Sequence, residues 1–185
     1  LAGRELVPIS EVAENPARVE ERTKVEQTVK FPVWFDPVAN GGTPMCQAFR
    51  EAARILEGFL SQHPNCFPPV VIHLTDGEST DGDPTGAMQG VSSLKSSDGN
   101  VLLFNCHISS SPARPIAFPD APDGLPDQYA RMLFDTASKL TDDMRKTARK
   151  YDFDLPQGAR GFALNANLEL VIQFLDIGTR SSELR

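Results

Sequence analysis

No apolar run in this 185-residue sequence approaches the roughly 20 residues of a membrane-spanning helix, which excludes a transmembrane segment of that kind. Basic charge is also scarce: 18 Lys and Arg face 25 Asp and Glu, a formal net charge of −7. Sequence-independent binding to DNA or RNA needs a basic face, and so does adhesion to anionic membranes. Neither is expected. An acidic surface suits a protein whose loops collect a cation. Cysteine is sparse as well. Cys46, Cys66 and Cys106 are an odd number without metal-type spacing, so a disulfide scaffold is not expected. Cys46 falls in a helical pattern and Cys106 in a strand pattern, where both read as small core residues. The expected setting is reducing and cytoplasmic. The chain opens on Leu1 with no signal-peptide pattern.

The common catalytic signatures are missing too. There is no Gly-x-Ser-x-Gly elbow, no Walker loop and no Gly-x-Gly-x-x-Gly. His63, His73 and His107 lack the i, i+4 spacing of a helical zinc site, and His73 and His107 sit inside strand runs that face a core or a helix. Glu78, Asp81 and Asp83 follow Asp76 in one loop, but the spacing fails the EF-hand pattern, so a solvated acidic turn is expected. Ser109, Ser110 and Ser111 read as turn residues. No enzymatic constellation emerges.

What is present is an alternation of strand and helix patterns, with 40% hydrophobic residues and length enough for one domain with a core. Leu6 to Ile9 reads as an edge strand or its end, and the charge-dense residues 11–30 as solvated helix or loop. Phe31-Pro32-Val33-Trp34-Phe35 is extended, and Pro32 keeps it from being an ordinary central strand. Residues 44–62 form the clearest helix, with Met45, Phe49, Ala52, Ile55, Leu56 and Phe59 on one face. Thr43 is placed to cap it and Pro44 to be its first residue. Val70–Leu74 is a buried strand, a weaker helix carries Met88, Val91 and Leu94, and residues 101–108 are a second buried strand, together a βαβ unit. Residues 109–127 hold five prolines and no periodicity. A long helix is expected over 128–151, a short edge strand at 160–164, and a last helix over 165–177 with Leu168, Val171, Ile172 and Leu175 inward.

Two loops concentrate the chemistry. The apolar run Val70-Val71-Ile72-His73-Leu74 ends at Thr75-Asp76-Gly77-Glu78, which puts a carboxylate at the C-terminal tip of a strand, where open α/β sheets bind ligands. Gly41-Gly42-Thr43-Pro44 opens the strong helix and sets a hydroxyl at a second element end, with glycines that let another backbone come close. Hydroxyl and carboxylate oxygens are the donors a hard divalent cation takes.

Gly-Gly-Thr-Pro opening a helix, then strand-Thr-Asp-Gly, then another buried strand, resembles the von Willebrand factor A domain over roughly residues 31 to 177, and most closely its stand-alone bacterial members. The resemblance implies a doubly wound, mostly parallel α/β sheet with helices on both faces. It also implies a metal-ion-dependent adhesion site at the sheet's C-terminal edge holding Mg2+, or Mn2+ or Ca2+. Thr43 would bind the metal directly and Asp76 directly or through water, with Gly42, Gly77 and Glu78 as neighbouring ligand-binding positions. An open coordination position would take a carboxylate from a protein partner. The family's other segment, an Asp-x-Ser-x-Ser loop after the first central strand, does not occur in this sequence. Losing a middle strand exposes ladder groups at about 1–3 kcal/mol per unsatisfied buried group. The expectation is therefore an N-terminally incomplete domain over 1–178 with a polar tail at 179–185, and about 60–70 residues preceding Leu1. The expected function is a non-enzymatic, metal-assisted interaction module. The alternatives are a metal-free scaffold binding through loop 109–127 and segment 11–30, or a metal-dependent hydrolase using Asp76 and Glu78.

Overall fold

A computed structural model describes residues 3–24, 27–36, 38, 41–109 and 113–180. The chain divides into two compact units, Leu1–Gly41 and Gly42–Arg185.

In the first unit, Pro8 leads into a short helix, α1 (Ile9–Glu14), instead of an edge strand, and Leu6 and Ile9 are exposed. The charge-dense stretch is not wholly helix or loop: it also forms an antiparallel hairpin of β1 (Arg18–Lys24) and β2 (Gln27–Val33), with Arg18 opposite Val33 and Glu20 opposite Phe31. Valine and threonine interleave with the charges in that sequence, and β-branched residues suit an extended ribbon. Glu21 and Lys30 are direct cross-strand partners, with 3.9 Å between their charged atoms. Charge density signals solvation, and a ribbon satisfies that as well as a helix does. The Trp34 indole N–H donates to the Val12 carbonyl at 2.6 Å, tying the hairpin's end to α1.

The second unit is mixed α/β. Its first helix, α2 (Met45–Gln62), matches the sequence pattern, with Met45, Cys46, Phe49 and Leu60 buried. It ends at His63, whose N–H bonds to the Phe59 carbonyl just before Pro64. β3 (Val70–Thr75) follows, then α3 (Thr85–Ser93) and a small hairpin of β4 (Lys95–Ser96) and β5 (Gly99–Asn100). β6 (Leu102–Ile108) runs parallel to β3 in the register Val70–Leu102 to Thr75–His107. The Pro-rich loop contains a short strand, β7 (Ile116–Ala117). α4 (Gln128–Thr136), α5 (Asp142–Ala148), β8 (Phe162–Ala166) and α6 (Leu168–Thr179) complete the unit.

The sheet order is β3-β6-β8-β7, with β7 antiparallel and the other pairings parallel. Both faces are covered. Leu103 of β6 packs in one core with Met45, Phe49, Met88, Val91 and Leu133 from α2, α3 and α4. Phe104 and Cys106 point the other way into a core with Met144, Leu170, Phe174 and Ile177 from α5 and α6. That alternation is the strand period of two, and here it makes both faces apolar.

Three expectations are corrected. The helix predicted over 128–151 is two helices. Residues 137–140 leave helical geometry because Ser138 exchanges bonds with β6: its N–H donates to the Leu103 carbonyl at 2.8 Å and its hydroxyl accepts from Leu103 N–H at 2.9 Å. Leu140 N–H bonds to Ala159 O at 2.9 Å, and Lys139 bridges Arg160. Thr141 then caps α5, with Asp142 and Asp143 in its first turn. The strand predicted at 160–164 as an edge is β8, an interior strand between β6 and β7. In α6, Leu168 and Ile172 are exposed at 76% and 57%, not inward, and Leu170, Val171, Phe174 and Ile177 take the core face.

β3, whose largely apolar sequence reads as a fully buried strand, lies at the edge of the described sheet. Among the described residues it pairs with β6 alone, its residues through His73 are half-buried, and Leu74 is 42% exposed. Among the described residues no helix is long and apolar enough to cross a membrane.

Candidate functional site

The site lies at the C-terminal end of β3, where the 76–84 loop meets the start of α2. Thr75, buried as the last residue of β3, turns the chain through its own hydroxyl: Oγ1 donates to the Gly77 carbonyl at 2.7 Å and accepts from Gly77 N–H at 3.2 Å. This is the local side-chain-to-backbone bonding by which threonine favours a tight turn. Asp76 sits at the apex of that turn, exposed, and Glu78, just beyond it, is exposed too. From α4, the Tyr129 hydroxyl donates to the same Gly77 carbonyl at 2.5 Å, so the turn is held from two sides. Burial pushes the Tyr129 pKa up. The Thr75 hydroxyl opposes that rise, while the charges of Glu78, Asp127 and Asp76 reinforce it. Three carboxylates therefore act on one phenol at the C-terminal end of β3. Asp127 is itself engaged, capping α4 by accepting from Ala130 N–H at 2.7 Å.

Thr43 lies half-buried just ahead of α2. The expectation that its side chain caps the helix is not met. The helix begins at Met45, its cap position is Pro44, and no side chain of the cap residue bonds the first turn. The capping is done from the other loop. Asp81 Oδ1 accepts from Cys46 N–H and Oδ2 from Gln47 N–H, both at 2.9 Å, and the Ser79 hydroxyl donates to Oδ1 at 2.9 Å. Partial desolvation pushes the Asp81 pKa up, but the two backbone N–H groups and Ser79 outweigh it and hold the carboxyl at about 2. Thr43 contributes its carbonyl instead, accepting from Thr80 N–H at 2.9 Å. Among the described residues its hydroxyl has no hydrogen-bond partner.

Gly42 lies against Thr80. A Cβ at Gly42 would meet Thr80 Oγ1 at 2.3 Å and Thr80 Cβ at 2.9 Å, and Thr80 cannot retreat because its N–H is bonded to Thr43. The glycine therefore permits the two loops to touch. The expected solvated acidic turn is thus partly structural. Asp83 also caps, accepting from Thr85 N–H at 2.9 Å and from the Thr85 hydroxyl at 2.6 Å at the start of α3.

Below this edge a polar column runs along one sheet face. His73 is half-buried against the Phe49 ring, 5.0 Å between centroids, and its Nδ1 lies 3.1 Å from Asn105 Oδ1. Asn105, fully buried, donates to the Leu133 carbonyl at 2.7 Å and to Thr136 Oγ1 at 3.0 Å. Desolvation lowers the His73 pKa, and the Asn105 bond partly restores it. His107, paired with Thr75 in the ladder, packs edge-on against Tyr129, and its buried Nδ1 has no hydrogen-bond partner among the described residues.

The sequence-predicted residues Gly42, Thr43, Asp76, Gly77 and Glu78 therefore lie on two loops that the fold brings into contact. The roles of Asp81 and Tyr129, which hold those loops, are not visible in the sequence, where Asp81 reads only as part of a solvated acidic turn. Asp81 belongs to an Asp-Gly turn pair, and nothing local marks it as a cap for a helix 35 residues upstream. Tyr129 is indistinguishable in sequence from the other apolar positions of its helix. Among the described residues no cluster of three or more His, Cys, Asp or Glu is arranged to hold a metal ion. The available donors are one hydroxyl and one or two carboxylates, all hard oxygen, which suit Mg2+, Mn2+ or Ca2+ better than zinc, and they fall short of the six or more that such ions take. A cavity of about 640 Å3 opens at the other end of β3, around Phe67, Pro69, Val70 and Met144, and is not part of this site. Ser110–Pro112 of the Pro-rich loop lie outside the described residues. The rest of that loop is anchored by β7 and by buried Phe118 and Leu125. No family model matches the chain, and no curated protein or solved structure matches it either.

Proposed function

We propose that this chain is a non-enzymatic interaction module of the von Willebrand factor A type, doubly wound, which uses a divalent cation at the C-terminal edge of its sheet to engage a carboxylate of a protein partner. The observation that carries this reading is the division of labour between the two loops. Asp81 caps α2, the hydroxyl of Thr43 has no hydrogen-bond partner among the described residues, and the loop that supplies Asp81 also presents the exposed Asp76. A hydroxyl and a carboxylate at adjoining element ends form the beginning of a hard-cation shell. The remaining positions fall to water and to the partner's carboxylate; the Asp-x-Ser-x-Ser segment of the family pattern does not occur in this sequence. When bound, Mg2+ supplies a positive centre with an open coordination position. Glu78, Asp76 and Asp127 favour its arrival by their negative charge, and Tyr129 and Thr75 keep the Asp76 turn in one conformation.

Calorimetric titration with MgCl2 tests this reading. Heat of binding at or below millimolar Mg2+ that disappears in Asp76→Ala is the expected result. No Mg2+ response in either protein at that concentration overturns the metal part.

A second reading is a metal-free scaffold of the same fold that binds partners through loop 109–127. It is favoured by the lack of a third acidic ligand among the described residues. Partner capture that survives Thr43→Ala but fails on deletion within that loop would select it.

A further inference from the structure

We propose that Asp81 is a positioning residue of the candidate cation site: it clamps the 76–84 loop onto the first turn of α2 and thereby sets the separation of Thr43 and Asp76 on which cation affinity depends. The inference rests on the cation reading above and extends it to a residue that touches no metal.

Four hydrogen bonds make the clamp. Both Asp81 carboxylate oxygens accept from successive backbone N–H groups, Cys46 and Gln47, at 2.9 Å each, so the carboxylate is fixed in plane as well as in distance. Ser79 Oγ, also 2.9 Å from Oδ1, stiffens the loop ahead of it. Thr80 N–H to Thr43 O, 2.9 Å, ties the same loop directly to the threonine whose hydroxyl the site needs. Gly42 completes the arrangement by leaving room for Thr80. On the far side the turn is pinned through Gly77 O by Tyr129. Asp76 is therefore flanked by two anchored residues, Thr75 at the end of β3 and Gly77, the Thr80-Asp81 pair ties the remainder of the same loop to α2, and Thr43 lies two residues ahead of the helix that Asp81 holds.

Charge matters as much as shape. Each carboxylate oxygen takes one N–H at a helix N-terminus, where a negative group is favoured by the orphan N–H groups. Asparagine in its place keeps one acceptor and turns an amide NH2 toward the second N–H. Groups that orient metal ligands without touching the ion change affinity about 10–100-fold when altered.

The test uses Asp81→Asn, Asp81→Ala, Asp76→Ala and Thr141→Ala. Mn2+ affinity is read by electron paramagnetic resonance and loop docking by hydrogen exchange at the Cys46, Gln47 and Thr80 amides. Asp81→Asn is expected to weaken Mn2+ binding about tenfold, and Asp81→Ala further, with faster exchange at all three amides. Thr141→Ala, which loosens a cap on a different helix, should leave both readouts unchanged and so controls for general loss of stability. Asp76→Ala should abolish Mn2+ uptake while the three amides stay protected. Mn2+ affinity within twofold of the unaltered protein in Asp81→Asn would overturn the proposal, as would amides that stay protected. If the unaltered protein takes up no Mn2+, the cation reading fails and the affinity claim with it, whereas the three amides still decide whether Asp81 is the clamp.

Discussion

Alanine in place of Gly161 should unfold this protein more readily, and alanine in place of Gly58 should do the reverse, although the chemical change is the same single methyl group. Gly161 is buried at the start of β8, with its N–H bonded to Ser138 O and its carbonyl to Asn105 N–H, both at 2.8 Å, so its backbone is held on both sides. A methyl there would lie 2.2 Å from Phe104 Cδ1 and 2.4 Å from Cγ. Phe104 has no room to yield: it is fully buried, its ring meets Phe174 edge-on at 5.9 Å, and Gly178 lies close against its other edge. Overpacking of a full core costs typically 1–3 kcal/mol, and a contact this short against a pinned ring belongs at the top of that range, about 3 kcal/mol. Gly58 sits in the interior of α2, exposed, with nothing near a new methyl, so alanine contributes about 1 kcal/mol of helix propensity. The two variants should therefore differ by about 4 kcal/mol in urea unfolding followed by circular dichroism, with the same denaturant slope. In a thermal melt Gly161→Ala should fall by roughly 6–12 °C and Gly58→Ala rise by roughly 2–4 °C. A Gly161→Ala protein within about 1 kcal/mol of the parent would refute the packing argument, because that methyl would then have found space the core does not contain.

The broken helix makes a prediction whose sign decides between two structures: Thr141→Ala should cost about 1 kcal/mol because Thr141 caps α5, whereas inside a continuous helix over 128–151 the same change would stabilise. His73 makes one about pH. Its folded pKa is lowered below 6.5 by desolvation, so the unfolded chain takes up the proton first, and stability should fall as pH drops below 6.5 until the folded pKa is passed. His73→Gln should remove that part of the pH dependence, and an unchanged profile in urea titrations across this range would refute it.

Most of the α/β alternation could be read from the chain. α2, β3, α3 and β6 appear where apolar residues recur at three and four or run unbroken, because those periods belong to one element and need no distant partner. The failures share a cause. Residues 128–151 carry a helical apolar pattern across Ser138 and Leu140, but bonds from Leu103 and Ala159 pull that stretch into extended form. Thr141-Asp142-Asp143 carries the residue types of a helix start, but it lies within that longer apolar period. Leu168 and Ile172 are as apolar as Leu170 and Phe174, and only packing distinguishes the face that meets the sheet.

The same division holds at the site. The sequence alone determined that a carboxylate ends one strand, that a threonine precedes one helix, and that the charge balance is acidic, because composition and periodicity are properties of neighbouring residues. Only the tertiary structure decided that the two loops touch, that β3 lies at the edge of the described sheet, and that Asp81, not Thr43, caps α2. The helix's first N–H groups need an acceptor, and any carboxylate the fold delivers will serve. Which one arrives is set by how a loop 35 residues away is folded, and no local pattern records that.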